Sequence, residues 1–327
     1  SSLQRPGVPP PRGQGGRGQR QGSMPRLVNA HELPVPQPHA VTFNDPRPSR
    51  DGAKTGVIGF TFLGKDDDID KVCGGSFLSN WFDLSPNRIE LTAPNDELVN
   101  TFTNAESAFH ALKFWRVADT FATTPAKTSW SKYKKMTGQE DVTYGGYGNN
   151  WKAMKAVLTA KFSADPRLAA TLRETGDAFL LHHVPELGRD KLWGDNGDGS
   201  GSNWLGLQLM LVRDEFTGRD AWTEYFSSLI DIETGAPLGG TRSKKWQDAV
   251  VQGTMAVLDA VEETMFGSAG NNICKRPGCG KPTWNGEPDE FCEGTCREDA
   301  AAELRAAASS TPGEGAPPGQ AALPAPP

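Results

Sequence analysis

Apolar residues recur at helical spacing through Thr101–Trp115: Ala105, Ala108, Phe109, Leu112 and Trp115 form one stripe. On another face Glu106, His110 and Lys113 fall at i, i+4 and i+7, so an acid, an imidazole and an amine share a ridge. The same period predicts a helix over Trp151–Phe162 with Met154, Val157, Leu158 and Phe162 inward. Asp165-Pro166 then offers an N-cap followed by proline at the first helical position, and Gly176 ends the second helix. Further helices are expected from Trp204 to Arg213, from Arg219 to Ile232 and from Ser243 to Phe266. The last keeps Trp246, Val250, Gly253, Val257 and Val261 on one face. Short β character marks Gly56–Phe62, the region of Arg88–Leu91 and the approach to the first helix. That order is not the alternation of a doubly wound fold; it predicts a mainly α protein with a small β-sheet, α+β in class.

Outside these elements the pattern breaks down. Residues 1–50 are rich in Pro, Gly, Arg and Gln and include Arg12-Gly-Gln-Gly-Gly-Arg17, a composition that buries too little surface to order a chain. Such an arm either touches nucleic acid through Arg-Gly segments or is a plain solvated tail. The segment 116–148 reads as a polar connection. The chain after about residue 304 is Ala, Pro and Gly and is expected to be disordered. The organisation that follows is an arm over 1–50, a globular domain over 51–270, a cysteine segment over 271–300 and a tail over 301–327.

Composition adds limits. Hydrophobic residues make up 36% of the 327 positions, with nine Trp and fifteen Phe, enough for a substantial core. No apolar run approaches the roughly 18 residues of a membrane span, and no signal-like core opens the chain, so an intracellular protein, cytoplasmic or nuclear, is expected. The net charge of −6 hides an asymmetry: the first fifty residues carry +5 and the remainder −11. A body that acidic is a poor general nucleic-acid surface, though a single nucleotide can still occupy a local pocket.

Three stretches carry candidate chemistry. On the Glu106–His110–Lys113 ridge, an amine beside a carboxylate can become a nucleophile toward a sugar carbon while the carboxylate moves protons. The bland alternative is that Thr103 and Glu106 form a capping box on a solvated face. The loop Trp193-Gly194-Asp195-Asn196-Gly197-Asp198-Gly199-Ser200-Gly201-Ser202-Asn203 runs into a helix with Asn203 as N-cap. Turned N–H groups plus a helix N-terminus suit phosphate, although its two aspartates do not. Tyr144-Gly-Gly-Tyr147-Gly marks either backbone beside a flat ligand or an ordinary loop. In His182-His183 one ring is expected buried and one exposed. Cys274-x4-Cys279-x12-Cys292-x3-Cys296 has the spacing of a structural zinc site, against reduced thiols or disulfides; Cys73 stands apart.

Four segments together resemble the NADAR family of YbiA-like proteins: Phe77-Leu-Ser79-Asn80-Trp81-Phe82, Ala105-Glu106 through Lys113-Phe114, Met154 through Lys161-Phe162, and Trp193-Gly194-Asp195 through Asn203 to Arg213. Their order and spacing agree across residues 56–216. The resemblance implies a pocket for ADP-ribose or a related ribosyl compound and an N-glycosidase that removes ADP-ribose from a modified base, with guanine in nucleic acid the first expectation. It implies catalytic roles for Glu106, Lys113 and Asp195. Ligand contacts are expected from Ser79, Asn80, Trp81, His110, Tyr147, Trp151, Trp193, Gly194, Gly197 and Asn203, with zinc at the cysteines only structural. Departures are His182-His183 where the family often has Glu-His, and the uncertain counterpart of an upstream tryptophan, taken by Trp151, Tyr144 or Tyr147. Other readings are a glycosidase on riboflavin-pathway ribosylamine phosphates, a non-catalytic ADP-ribose reader, or an RNA scaffold working through the arm.

Overall fold

The computed structural model describes residues 37–50, 52–63, 67–266, 274–276, 279, 281, 283 and 290–299. The arm up to residue 36, the tail from residue 300 and part of the acidic turn at 64–66 lie outside the described residues.

The mainly helical α+β arrangement is built around a three-stranded mixed sheet. Strand β2 (Lys54–Phe60) is central, antiparallel to β1 (Val41–Asn44) and parallel to β5 (Phe179–His182). Val57, Ile58 and Phe60 of β2 and Phe179, Leu180 and Leu181 of β5 are all buried. A strand covered on both faces reads as a continuous apolar run without alternation. One cover is α8 (Thr241–Phe266), whose Gly253 lies against Phe179 and Val57. The other is α6 (Trp204–Thr217), which approaches β5 so closely that a Cβ on Gly206 would lie 2.0 Å from the Leu180 carbonyl oxygen. Only glycine permits that contact.

A hairpin, β3 (Ile89–Thr92) with β4 (Val99–Phe102), pairs Ile89 with Phe102 and leads directly into α2 (Ala105–Leu112). Helix α1 (Asp68–Cys73) precedes the hairpin, and α4 (Asn150–Ser163) packs against both the hairpin and α2. Helix α5 (Pro166–Glu174) begins as expected, with the Asp165 carboxylate accepting from Arg167 N. No helix among the described residues is long and apolar enough to cross a membrane.

Three boundaries differ from expectation. The arm does not run to residue 50, since β1 belongs to the sheet and Arg47 is buried. Its guanidinium bonds Asp45 at 2.6 and 2.9 Å and Asp177 at 2.6 and 2.8 Å, and lies 4.2 Å from the Trp222 ring centroid. These partners are distant in sequence, so composition could not reveal them. The polar segment 116–148 contains a 3-10 stretch (Trp115–Phe121) and α3 (Ala126–Lys135). Only Ala126 and Ser129 of α3 are buried, too few to print a stripe. The helix expected over Arg219–Ile232 shortens to α7 (Ala221–Ser227), where the Asp214 carboxylate accepts from Trp222 N and Thr223 N.

Candidate active-site cavity

A cavity of about 780 Å³ opens between α2, α3, the turn after Leu78 and the segment following β5. That size lies within the usual range for a small-molecule site. Its floor is the Ser79-Asn80-Trp81 turn. Lys161 of α4, fully buried, donates from Nζ to the carbonyls of Leu78 (3.1 Å) and Ser79 (2.7 Å) and so fastens this turn. Burial pulls its pKa down to about 7. The Asn80 carbonyl in turn accepts from Glu106 N at 3.0 Å, tying the turn to the first turn of α2. Trp81 tilts against Phe62 with ring centroids 5.0 Å apart.

Helix α2 supplies the reactive ridge. Its N-cap is Asn104, whose side chain accepts from Ser107 N at 2.9 Å. Glu106 therefore does not close a capping box. Instead its Oε1 meets His110 Nε2 at 3.0 Å, and both side chains line the cavity. The His110 ring stacks on Tyr133 of α3 at 5.0 Å and 13°. With Nε2–H donating to the carboxylate, its Nδ1 is a buried lone pair without a partner among the described residues.

One helical turn on, the Lys113 amine lies 4.2 Å from the Tyr133 ring centroid, 5.2 Å from that of Phe109 and 5.6 Å from that of Tyr144. Burial lowers its pKa, and the charges of Glu106 and Glu140 oppose that shift without reversing it. A lysine in an aromatic box with a lowered pKa keeps a larger neutral fraction, the form that acts as a nucleophile.

The opposite wall is Trp193, His182 and Leu205. His182 Nδ1 lies 3.3 Å from the Trp193 carbonyl and its ring stacks on Phe60 at 5.2 Å. Burial lowers the pKa of this imidazole, against the opposing charges of Asp190 and Asp195. At the rim stand Lys127 and Trp130 of α3 with Glu186, Arg189 and Asp190. Arg189 pairs with Glu186 at 2.9 Å, and its guanidinium lies 4.3 Å from the Phe62 centroid. A second depression, around Lys152, Lys155, Glu215 and Glu233, is an open groove whose lysines are already paired, Lys152 with Glu233 and Lys155 with Glu215.

Of the residues singled out in the sequence, Ser79, Asn80, Trp81, Glu106, His110, Lys113 and Trp193 line the cavity. Six do not, and each has another task. The Asp195 carboxylate is buried and accepts from His183 Nδ1 (2.7 Å), Val184 N (2.9 Å), Gly197 N (2.9 Å) and Thr254 Oγ1 (2.9 Å). Burial works to raise its pKa, but the hydrogen bond and charge of His183 with the two amides hold it below the ordinary carboxylate value. No lone pair is left to activate water. Gly194 packs so tightly on Val184 that a Cβ would approach it to 2.3 Å, and Gly197 (φ +87°) turns beside the Val184 carbonyl. Asn203 (φ +49°) makes no side-chain cap; its amide donates to Leu180 O and accepts from His182 N, both at 2.9 Å, stitching the start of α6 to β5. Trp151 is buried with Nε1 donating to Ile232 O at 2.8 Å. Tyr147 donates to Thr92 O at 2.9 Å, and Tyr144 instead stands beside Lys113.

The glycine loop is not a phosphate cradle. Ser200 N donates to Asp198, Gly201 N to Asp195 O, Ser202 N to Lys191 O and Asn203 N to Gly194 O. The first amides of α6, Trp204 N and Leu205 N, donate to the carbonyls of Leu192 and Trp193. Acceptors within the loop and the segment before it occupy the donors that an anion would need. Nor is either histidine exposed: alternate sides of β5 send His182 to the cavity and His183 to Asp195, and both faces are covered. The sequence missed Phe62, Lys127, Trp130, Tyr133 and His182. Phe62 lies two residues past the end of β2, outside any element, but Lys127, Trp130 and Tyr133 at i, i+3 and i+6 form a ridge that was open to detection.

Asp195→Asn removes the buried charge and leaves an amide N–H that only a re-oriented Thr254 hydroxyl or the other tautomer of His183 can accept, while Val184 N and Gly197 N can only donate. We expect a loss of about 3–5 kcal/mol of stability in urea unfolding, with turnover per folded molecule unchanged. Full stability with lost turnover would instead give Asp195 a chemical role.

Compared with known families, residues 70–217 match the family described as the NADAR domain. Residues 70–217 are a NADAR domain. Every cavity residue named above except Phe62 lies within that NADAR domain, whereas β1, β2, α7, α8 and the cysteine segment lie outside it. The chain is 42% identical over 64 residues to a riboflavin biosynthesis protein of Vibrio vulnificus, a match covering 20% of this chain and 17% of that protein. It is 38% identical over 71 residues to the N-glycosidase YbiA of Escherichia coli, and likewise to that of Shigella boydii, covering 20% of this chain and 42% of each. The matches thus span less than half the length of these relatives. The NMR structure of E. coli YbiA aligns with 57% of this chain and 94% of its own, at 21% identity and a TM-score of 0.39.

Proposed function

We propose that the cavity of this NADAR domain hydrolyses an N-glycosidic bond, releasing ADP-ribose from a modified base, with guanine in nucleic acid as the carrier. The observation that carries this reading is the convergence of the Glu106–His110 pair and the aromatic-boxed Lys113 on one cavity wall. Similarity to the N-glycosidase YbiA proteins supports glycosidase chemistry. Lys127 at the rim, joined by Arg189 when a ligand displaces its exposed partner Glu186, supplies positive charge suited to a diphosphate, and Trp81 and Trp130 offer faces on which a base can stack.

In this mechanism the C1–O4 bond breaks as the ring oxygen takes a proton from Glu106 and the base nitrogen forms a C1=N double bond; the neutral Lys113 amine adds to that carbon and passes a proton back to Glu106. The C1–N bond to the base then breaks, the departing nitrogen taking a proton delivered by Glu106, and C1 remains joined to Lys113 as an imine. Water adds to that carbon and gives up its proton to Glu106. The carbon–nitrogen bond to Lys113 then breaks, returning the free amine and the open-chain sugar. His110 holds the Glu106 carboxylate toward the reacting bond.

The test offers the purified chain an oligonucleotide carrying ADP-ribosylated guanine and, separately, a ribosylamine phosphate of the kind the riboflavin-related name implies. Release of ADP-ribose from the first supports the proposal. Turnover of the second alone assigns the same chemistry to the smaller substrate, and binding of ADP-ribose without turnover of either makes the domain a reader.

A further inference from the structure

The C-terminal segment has no hydrophobic centre among its described residues. Between 274 and 299 the buried ones are Cys274, Thr283 and Cys296, with Cys279 and Cys292 half-buried beside them. A segment this short needs a staple in place of a core.

The four sulfurs supply one. All lie within 4.8 Å of one another. Cys279 Sγ is 3.7 Å from Cys292 Sγ and 3.6 Å from Cys296 Sγ, and the last two are 3.4 Å apart. Disulfide pairing joins sulfurs in twos, whereas here three are mutual neighbours and the fourth closes the group. Four thiolates around one zinc ion, each at about 2.3 Å, stand about 3.8 Å apart at the corners of a tetrahedron. The observed spacing is close to that before any ion draws the corners into place.

The backbone has the corresponding form. Cys274 N donates to Lys281 O at 2.8 Å and Cys279 N to Arg276 O at 3.2 Å, closing a turn that carries the first two cysteines. Lys275 N donates to Glu290 O at 2.8 Å and ties this turn to the strand of chain leading to the second pair. Ion pairs brace the segment around the sulfurs, Arg276 with Asp299 at 2.6 Å, Lys281 with Glu293 at 3.4 Å and Arg297 with Glu290 at 3.9 Å.

We propose that Cys274, Cys279, Cys292 and Cys296 bind one zinc ion as a closed tetrathiolate, and that this ion is the core around which the segment after α8 folds. On binding, each thiol still protonated loses its proton to solvent and no other bond changes. Sulfur ligands select a soft or borderline ion, and four of them leave no open coordination position, so the ion is structural. The site lies outside residues 70–217 and is independent of the glycosidase proposal.

The experiment is elemental analysis of the full chain purified under reducing conditions, paired with cobalt substitution. About one equivalent of zinc is expected, with the visible bands of a tetrahedral thiolate site when cobalt replaces it. Cys292→Ser and Cys296→Ser should lose the metal, and Cys73→Ser, at a buried position elsewhere, should retain it. Chelation should expose 274–299 to protease while 37–266 stays resistant. Reduced protein that takes up neither zinc nor cobalt would overturn the proposal, as would stoichiometric iron or an intact mass showing two disulfides.

Discussion

Glu106→Gln is expected to lower kcat by about 10²–10⁴-fold, the usual contribution of a positioned proton-transfer group, with KM nearly unchanged. The amide is isosteric and its oxygen still accepts from His110 Nε2, so the 3.0 Å contact and the helix survive. The helix cap is unaffected because Asn104, not Glu106, supplies it. What disappears is a group that can take up and return a proton beside Lys113. Steady-state kinetics on ADP-ribosylated guanine, with circular dichroism as the folding control, make the measurement. Activity within about threefold of the parent would remove Glu106 from the chemistry and with it the mechanism proposed above.

The second large effect concerns Lys113 and separates two ways of using the same amine. If the amine becomes covalently attached, borohydride added during turnover should trap a ribosyl adduct on Lys113, seen by peptide mass. Lys113→Arg should then fall by at least about 10²-fold, as for loss of a main catalytic contact. If the amine only stabilises developing charge while Glu106 activates water, arginine retains that charge, no adduct forms and most activity remains. The pH dependence adds a sign. Burial lowers the Lys113 pKa, so kcat/KM limited by the neutral amine should rise with pH and level off below the ordinary lysine value of about 10.5. A rate that falls across that range would contradict attack by the free amine.

The Glu106–His110–Lys113 ridge was legible because helical spacing is a local property: residues at i, i+4 and i+7 share a face whatever surrounds them. The cysteine cluster was legible for a related reason, since short spacings within each pair restrict how far sulfurs can separate. The helices α4, α5 and α8 declared themselves through apolar stripes and capping residues.

Partner identity is not local. Asp195 and the glycine loop resembled a functional loop in sequence, yet Thr254, 59 residues away, and His183 complete a closed set of hydrogen bonds that turns the carboxylate into a structural anchor. Arg47 looked like the end of a solvated arm until Asp177, 130 residues on, was its neighbour. Helix α3 buries too little to leave a stripe, although it brings Trp130 and Tyr133 to the cavity. Sequence alone determined which chemical groups share a helix face and which thiols can meet. Tertiary structure decided which of the candidate carboxylates keeps free lone pairs and faces the cavity, because a side chain's availability depends on donors that chain folding delivers from far away.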